Sequence, residues 1–234
     1  MWKRCGCGKI QDLMPNFTKT RMLNICEFFI SHQGEGRLIG ELMYFIRLGG
    51  CNLNCIWCDT RYAKYEFKEY RLEEVVAKIK DEWRRGRWIC ITGGEPLMQE
   101  NSKRLIEILD RDYKILLETN GSFPIPSFKN VLASMDVKCP SSGEENSTLL
   151  SNIELLKERD QLKFVIGTKE DYDYALNIIK KYKPRSAVVF QPQGGLRTRP
   201  EDFEWLFKRS KEDSLNVRVI LQQHKLVFGG KRGV

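Results

Sequence analysis

The sequence predicts an α/β protein: a partial (β/α) barrel of about six parallel strands with a short N-terminal strand. Three observations predict this fold. Short apolar runs alternate with amphipathic segments, glycine-rich and polar stretches follow the apolar runs, and 234 residues with 41% apolar and 30% charged side chains suit one globular domain. Alternating strands and helices with short connections form a parallel sheet, and six such units fall short of a complete eight-unit barrel.

The first predicted strand, residues 23–31, runs into His32-Gln33-Gly34-Glu35-Gly36, where two glycines interrupt the extended pattern. The second, residues 42–48, is apolar except for Arg47 and ends at Gly49-Gly50. The later strands are predicted at residues 88–91, 115–118, 131–136, 162–166, 187–190 and 217–221. Helices are predicted at residues 72–83, 102–110, 149–159, 171–182 and 200–211. We expect residues 1–21, which include Cys5 and Cys7, to be an N-terminal extension of unknown role, and residues 22–234 to be a single core domain.

The charge and cysteine content narrow the possible functions. The net charge is +8, but acidic and basic residues are interspersed along the helices, which favours solvated helix faces over a nucleic-acid surface. No apolar run is long enough to span a membrane, and the first residues lack the apolar core of a signal peptide. Eight cysteines in such a chain indicate metal binding and reduced thiols. We therefore expect a cytoplasmic protein.

Three cysteines, Cys51, Cys55 and Cys58, follow the second predicted strand with the spacing C-x3-C-x2-C. A structural zinc or a closed iron–sulfur cluster takes four protein ligands, and no fourth Cys or His is near in sequence. Three thiolates on a four-iron cluster would leave one iron open to a small molecule, as in a reactive centre. The alternatives are a zinc site that lacks one ligand and a chance clustering of cysteines.

Other polar motifs follow the predicted strands at the same end, where the chemistry of such barrels collects. They include Thr92-Gly93-Gly94-Glu95-Pro96, Glu118-Thr119-Asn120-Gly121, Asp136-Val137-Lys138 and Gln191-Pro192-Gln193-Gly194. After the first strand, Gln33 and Glu35 offer a paired donor–acceptor edge that suits a guanidine-like ring, such as the aminopyrimidinone of a pterin. The Arg47 guanidinium lies in an apolar strand and needs a partner there.

The three-cysteine motif with Trp57 before its last Cys, together with G-G-E-P, resembles the radical S-adenosylmethionine (SAM) superfamily. The motifs H-Q-G-E-G, F-x-R-x-x-G-C-N-L, C-D-T, T-G-G-E-P, E-T-N-G and Q-H-K further resemble the 7-carboxy-7-deazaguanine synthase family. This resemblance implies a [4Fe-4S] cluster, SAM on its open iron, Mg²⁺, and the substrate 6-carboxy-5,6,7,8-tetrahydropterin. It also implies reductive cleavage of SAM to a radical that takes hydrogen from the carboxylate-bearing carbon, followed by ring contraction with loss of ammonia.

The resemblance also implies a role for each site residue. The cluster ligands are Cys51, Cys55 and Cys58, and Thr60 binds Mg²⁺, although a helix-capping role for Asp59-Thr60 is the alternative. The SAM contacts are Trp57, Gly93, Gly94, Asp136, Val137, Lys138, Gln191, Pro192, Gln193 and Gly194. The substrate contacts are His32, Gln33, Gly34, Glu35, Thr92 and Arg47, which pairs with the substrate carboxylate. No side chain is assigned as a catalytic base. A tail extends past Q-H-K, and its contact with the substrate is left unassigned.

Two other functions remain open from sequence. A glycyl-radical activating enzyme shares the cysteine motif but acts on a protein. A zinc-dependent RNA-binding module would use the cysteines and the +8 charge, but the chain lacks basic residues interleaved with aromatic ones on one surface. For the favoured function, we expect a small-molecule substrate, an electron donor protein such as flavodoxin or ferredoxin, a homodimer, and no direct contact with nucleic acid or membrane.

Overall fold

The computed structural model describes residues 21–194 and 201–234, which form a mostly parallel sheet with helices. The strands are β1 (Met22–His32), β2 (Leu42–Leu48), β3 (Lys68–Arg71), β4 (Trp88–Gly93), β5 (Lys114–Thr119), β6 (Val131–Val137), β7 (Gln161–Ile166), β8 (Ala187–Pro192) and β9 (Arg218–Val219). They lie in the order β3-β1-β2-β4-β5-β6-β7-β8-β9. Strands β2 and β4 to β9 are parallel, and β1 and β3 form an antiparallel edge. The predicted α/β class is confirmed, and the sheet is consistent with a partial barrel.

Helices follow most of the parallel strands. They are α1 (Leu72–Glu82), α2 (Glu100–Leu109), α3 (Asn152–Leu155), α4 (Lys169–Tyr182), α5 (Glu201–Glu212) and α6 (Gln223–Phe228). Crossing a bilayer requires a long apolar helix, and none of the helices in the described residues meets that requirement.

The alternation of side chains along β2 separates the core from the site. Tyr44, Ile46 and Leu48 are buried in the apolar core that also contains side chains of α1 and α2. The residues between them point to the opposite side of the sheet, as the period of two requires. On that side, Phe45 and Arg47 line a cavity. The strand thereby carries a charged side chain in an apolar run without placing it in the core.

The helix predicted at residues 149–159 is wrong for most of its length. Only α3 is helical there, and the chain turns between Lys157 and Asp160. The Asp160 carboxylate accepts hydrogen bonds from the backbone N–H groups of Lys157 (2.7 Å) and of Ala133 in β6 (2.9 Å). A side-chain contact with a distant strand thus overrides the apolar spacing that predicted a helix.

Several elements differ from the prediction in extent. Strand β1 has 11 residues and is the longest described strand, because β3 pairs with its first half and β2 with its second half. The sequence did not predict β3, whose residues Lys-Glu-Tyr-Arg are mostly exposed. It also did not predict α6, which carries His224 of the Q-H-K motif. Residues 1–20, with Cys5 and Cys7, lie outside the described part of the chain.

Candidate active site

A cavity of about 260 Å³ opens at the carboxyl ends of the parallel strands. All the residues predicted to contact the cluster, SAM, Mg²⁺ or substrate line it, except Val137 and Pro192. The side chain of Val137 lies in the apolar core instead, and Pro192 is buried at the end of β8. The motifs that follow different strands are therefore brought together in one place.

The three-cysteine loop follows β2 and is fastened to the loop after β6. The backbone N–H of Asn54 donates to the Glu144 carboxylate (2.6 Å), and the N–H of Ile56 donates to the carbonyl of Ser142 (3.0 Å). The Trp57 indole N–H donates to the Ser141 hydroxyl (3.2 Å). These bonds hold a segment without regular secondary structure in one conformation.

Within that loop, Cys51, Cys55 and Cys58 are the only described cysteines that line the cavity. Burial raises the pKa of the Cys51 and Cys55 thiols, and the Lys138 ammonium opposes this at Cys55. No three His, Cys, Asp or Glu side chains of the described residues are grouped as they would be around one metal ion. A four-iron cluster differs from a single ion because each thiolate binds a separate iron, so its sulfurs stand apart.

The G-G-E-P turn after β4 packs directly against the start of the cysteine loop. A Cβ added to Gly94 would lie 1.9 Å from the carbonyl oxygen of Gly50, so only glycine fits there. Glu95 is fully buried and accepts hydrogen bonds from Thr119 Oγ1 (2.8 Å) and from the N–H groups of Asn120 (2.7 Å) and Leu97 (2.9 Å). Its burial raises the pKa of the carboxyl, against the effect of these donors. Glu95 therefore joins the ends of β4 and β5.

Arg47 has the buried partner that its position in β2 requires. Its Nε donates to Glu27 Oε2 at 2.9 Å, and both side chains are less than 20% exposed. Glu27 lies beside Arg47 because β1 and β2 pair in that register. Within the described residues, no hydrogen bond occupies the two terminal nitrogens of Arg47. They remain available for a carboxylate in the cavity.

A second polar group lies on the same wall. Glu118 Oε1 accepts from Gln33 Nε2 (3.0 Å), and its Oε2 accepts from Thr92 Oγ1 (2.8 Å). The side-chain oxygen Oε1 of Gln33 accepts a hydrogen bond from the backbone N–H of Glu35 (3.1 Å). The Gln33 amide is thus fixed in orientation. The paired edge predicted for Gln33 and Glu35 is arranged differently, since Gln33 faces Glu118 and Glu35 faces a lysine.

That lysine is Lys163 of β7, and it belongs to a group of alternating charges. Lys163 Nζ lies 2.7 Å from Glu35 and 3.5 Å from Asp136, and Lys138 Nζ lies 3.2 Å from Asp136. Burial opposes ionisation of Glu35, but the Lys163 ammonium outweighs it and lowers the pKa of Glu35 to about 2. Gln222 also donates to Glu35 (2.6 Å). The Lys163 ammonium therefore keeps Glu35 ionised beside the cavity.

Thr60 and His224 also lie on the cavity wall. Thr60 is at the N-terminal cap of a short helical turn, but its side chain makes no capping bond and donates instead to Asp59 Oδ1 (2.9 Å). The Asp59 side chain is half exposed and pairs with Lys225 (2.7 Å), whose ammonium lowers the pKa of the carboxyl. His224 packs on Gly34: a Cβ added there would lie 2.2 Å from His224 Nδ1.

Sequence reasoning assigned no role to Glu118, Lys163 or Glu27. Lys163 interrupts an apolar strand in the same way as Arg47, so the signal that singled out Arg47 also applies to it. Glu118 begins the E-T-N-G motif at the end of β5, which is a position typical of site residues. The residues next to Glu27 in sequence do not indicate that it belongs to the site, because its pairing with Arg47 depends on the register between two strands.

Comparison with known proteins agrees with this geometry. The sequence model of the radical SAM superfamily matches residues 45–205. The 7-carboxy-7-deazaguanine synthase of Thermoplasma acidophilum is 37% identical over 214 residues, which cover 90% of this chain and 99% of that protein. The chain belongs to the 7-carboxy-7-deazaguanine synthase family of radical SAM enzymes.

Further members of this family give the same result. The 7-carboxy-7-deazaguanine synthase of Koribacter versatilis is 34% identical over 226 residues, covering 88% of this chain and 97% of that protein. The crystal structure of QueE from Escherichia coli matches the fold with a TM-score of 0.70 over 87% of this chain and 95% of that chain, at 22% identity. The predicted superfamily and family are confirmed, and neither the glycyl-radical activating enzyme nor the zinc-dependent RNA-binding module is supported.

Radical SAM enzymes of this family use a [4Fe-4S] cluster, SAM and Mg²⁺, and the cavity fits them. Three thiols face it without a fourth from the described residues. Two buried oxygens of its lining residues, Asp136 Oδ1 and Gln191 Oε1, have no hydrogen-bond partner among the described residues. Buried acceptors of this kind are costly unless a donor reaches them. The ammonium, hydroxyl and amino groups of SAM are such donors, and both oxygens belong to segments that the sequence assigns to SAM.

Proposed function

We propose that this radical SAM enzyme converts 6-carboxy-5,6,7,8-tetrahydropterin to 7-carboxy-7-deazaguanine with loss of ammonia, on the route to 7-deazapurine nucleosides of tRNA such as queuosine and archaeosine. One observation carries the proposal. A single cavity contains both the three-cysteine loop and, from the neighbouring strand ends, an arginine with two free terminal nitrogens beside the fixed Gln33 amide. A carboxylated pterin has the chemistry that this wall would bind.

In this proposal, Cys51, Cys55 and Cys58 hold the cluster, and Thr60 binds Mg²⁺. The residues that contact SAM line the cavity and are Trp57, Gly93, Gly94, Asp136, Lys138, Gln191, Gln193 and Gly194. When bound, the cluster and SAM supply the one-electron chemistry that removes a hydrogen atom from the substrate.

The protein's own residues bind and orient the substrate. Arg47 holds the substrate carboxylate, and His32, Gln33, Gly34, Glu35 and Thr92 contact the ring. Lys163 and Asp136 form an ion pair that holds their charged groups in place beside the substrate. These groups therefore need little reorganisation during the reaction. No side chain is assigned the role of a strong base.

Anaerobic turnover tests the proposal. Reconstituted protein with SAM, a reductant, Mg²⁺ and the carboxylated tetrahydropterin should release 7-carboxy-7-deazaguanine and ammonia in equal amounts, as measured by mass spectrometry and an ammonia assay. Cys55→Ala should form neither product because one thiolate of the cluster is gone, and Cys5→Ala should match the parent. Full turnover by Cys55→Ala, or SAM cleavage without any pterin-derived product, would refute it.

We further propose a flavodoxin or ferredoxin as the electron donor, a homodimer, no direct nucleic-acid partner, and a cytoplasmic location. The interspersed charges of the sequence support the absence of nucleic-acid binding. None of the six described cysteines forms a disulfide, which supports a reducing compartment. Light scattering tests the homodimer, a gel shift with tRNA tests nucleic-acid binding, and reduction of the cluster by each purified donor tests the electron donor.

A further inference from the structure

The C-terminal tail returns to the cavity after α6. The helix ends at Phe228, and Gly229 turns the chain with a φ of 64°. Gly233 then lies against Phe29 on the cavity wall, where an added Cβ would be 3.9 Å from the Phe29 Cβ. Val234, the last residue, lines the cavity itself. The tail therefore crosses the edge of the site.

The side chain of Arg232 holds this tail against the rest of the protein. The Arg232 guanidinium lies over the ring of Tyr62, with Cζ 3.5 Å from the ring centroid. Its Nη1 also lies 2.7 Å from Glu66 Oε2. Tyr62 and Glu66 come directly after the cysteine loop, in and beside the short helical turn Arg61–Lys64. An exposed ion pair alone contributes little, but a guanidinium held over the face of an aromatic ring adds a cation–π attraction.

The contact continues inward to Arg47. The Tyr62 hydroxyl donates to Glu27 Oε2 (3.2 Å), which is the same oxygen that accepts from Arg47 Nε (2.9 Å). Arg47 Cζ in turn lies 5.7 Å from the centroid of the Phe29 ring. A continuous series of contacts thus joins the tail to Arg47 through Tyr62 and Glu27.

We propose that Arg232 is a positioning residue: by stacking on Tyr62 it seats the tail at the edge of the cavity, and through Tyr62 and Glu27 it keeps the terminal nitrogens of Arg47 turned toward the substrate. This inference rests on the proposed function, in which Arg47 binds the substrate carboxylate. Arg232 itself touches neither substrate nor cofactor.

A positioning role predicts a selective effect on binding. Because Arg232 is half exposed and lies outside the core, Arg232→Ala should leave the melting temperature and the iron content unchanged. It should raise KM for the carboxylated substrate about threefold to tenfold, the range of one stacking contact, with little change in kcat. Lys231→Ala removes the neighbouring exposed charge and is the matched control, which should behave as the parent.

Equilibrium binding separates this inference from the proposed function. The probes are 6-carboxypterin and pterin without the carboxylate, and their fluorescence is followed on titration with the reconstituted protein and SAM. Arg47→Ala should weaken 6-carboxypterin alone, which tests the proposed function. Arg232→Ala should weaken the same probe threefold to tenfold and leave unsubstituted pterin unchanged, and Arg232→Lys should recover part of the loss. Equal weakening of both probes, or no effect of Arg232→Ala while Arg47→Ala remains selective, would overturn the positioning role.

Tyr62→Phe separates the contact of Arg232 with the Tyr62 ring from the hydrogen bond between the Tyr62 hydroxyl and Glu27. The variant keeps the ring beneath Arg232 but lacks the hydroxyl that donates to Glu27. It should weaken 6-carboxypterin as Arg232→Ala does, while carboxypeptidase releases Val234 at the parent's rate. In Arg232→Ala the release of Val234 should be faster. If Val234 is released at the same rate from Arg232→Ala and the parent, Arg232 does not seat the tail and the inference fails.

Discussion

Glu35 and Lys163 show how a buried charge is kept at the edge of a cavity. Each side chain is less than 20% exposed, and each is stabilised by the other at 2.7 Å. Removing Lys163 would leave the buried Glu35 charge without an ion-pair partner, which costs more than the pair contributes. The pair therefore both orders the site and makes the stability of the fold depend on pH.

That pH dependence is a first prediction. The pKa of Glu35 is about 2 in the folded protein against an ordinary value of 4.5, so its contribution is present above pH 4.5 and is lost as the pH falls toward 2. Glu35→Gln should flatten the dependence of the unfolding free energy between pH 5 and pH 2, as measured by urea unfolding of cluster-free protein. The exposed Glu158→Gln should keep the parent's slope; an identical slope in Glu35→Gln would contradict the assignment.

Thr60 gives a second prediction at this scale. Its hydroxyl lies on the cavity wall and caps no helix, so we expect its oxygen to bind Mg²⁺. Thr60→Ala should raise the Mg²⁺ concentration for half-maximal turnover by roughly tenfold and leave the iron content unchanged, whereas Thr60→Ser retains the oxygen and should stay near the parent. If the activation curves of Thr60→Ala and the parent coincide, Thr60 does not bind the metal.

Single residues also show where sequence reasoning succeeds and where it stops. Cys51, Gly94 and Arg47 were found because each breaks a local pattern at a strand or at its end. Glu27 was not found, because it becomes relevant only through the pairing of β1 with β2. Long-range pairings of this kind, like the contact of Arg232 with Tyr62, are not encoded in any short segment.

At the scale of elements, the loops after β2 and β4 are built against each other. The Gly94 N–H donates to the Leu48 carbonyl (3.0 Å) and the Glu95 N–H donates to the Gly50 carbonyl (2.9 Å). The two loops carry the cysteine motif and the G-G-E-P motif, so the position of one fixes the position of the other.

This packing predicts the effect of a single methyl group. Gly94→Ala would place a Cβ 1.9 Å from the Gly50 carbonyl oxygen and 2.9 Å from Cys51 Cβ, so the cysteine loop must move. The variant should keep its circular dichroism spectrum, because the clash is confined to two loops, but should lose most of its iron after reconstitution and bind SAM at least severalfold more weakly. Parent-like iron content and SAM affinity would show that the loops are not coupled in this way.

The predicted elements were most accurate where packing is local. Helix α5 was predicted within one residue at each end, because residues close together in sequence determine its apolar face and its boundaries. The helix predicted at residues 149–159 failed because Asp160 fixes the chain to β6. Strand β3 was missed because it is an edge strand with little burial, and only its pairing with β1 makes it extended.

At the scale of the whole molecule, we propose that residues 22–234 are one core domain and that the extension before it is dispensable. Arg21, at the start of the described chain, contacts the beginning of helix α1. Its carbonyl accepts a hydrogen bond from the Leu72 N–H (2.8 Å), and its side chain pairs with Glu73 (3.2 Å). A protein that starts at Arg21 should therefore keep its melting temperature within about 2 °C and its iron content. Loss of either would assign a structural role to the extension with Cys5 and Cys7.

The central claim is that three thiolates and a pterin-binding wall share one cavity, with one iron open to SAM. Electron paramagnetic resonance of the reduced, reconstituted protein tests this most directly. The spectrum of the four-iron cluster should change when SAM is added to the parent or to Arg47→Ala, and should change again with 6-carboxypterin only in the parent. A cluster spectrum that is indifferent to SAM, or a protein that binds zinc and no iron, would contradict it.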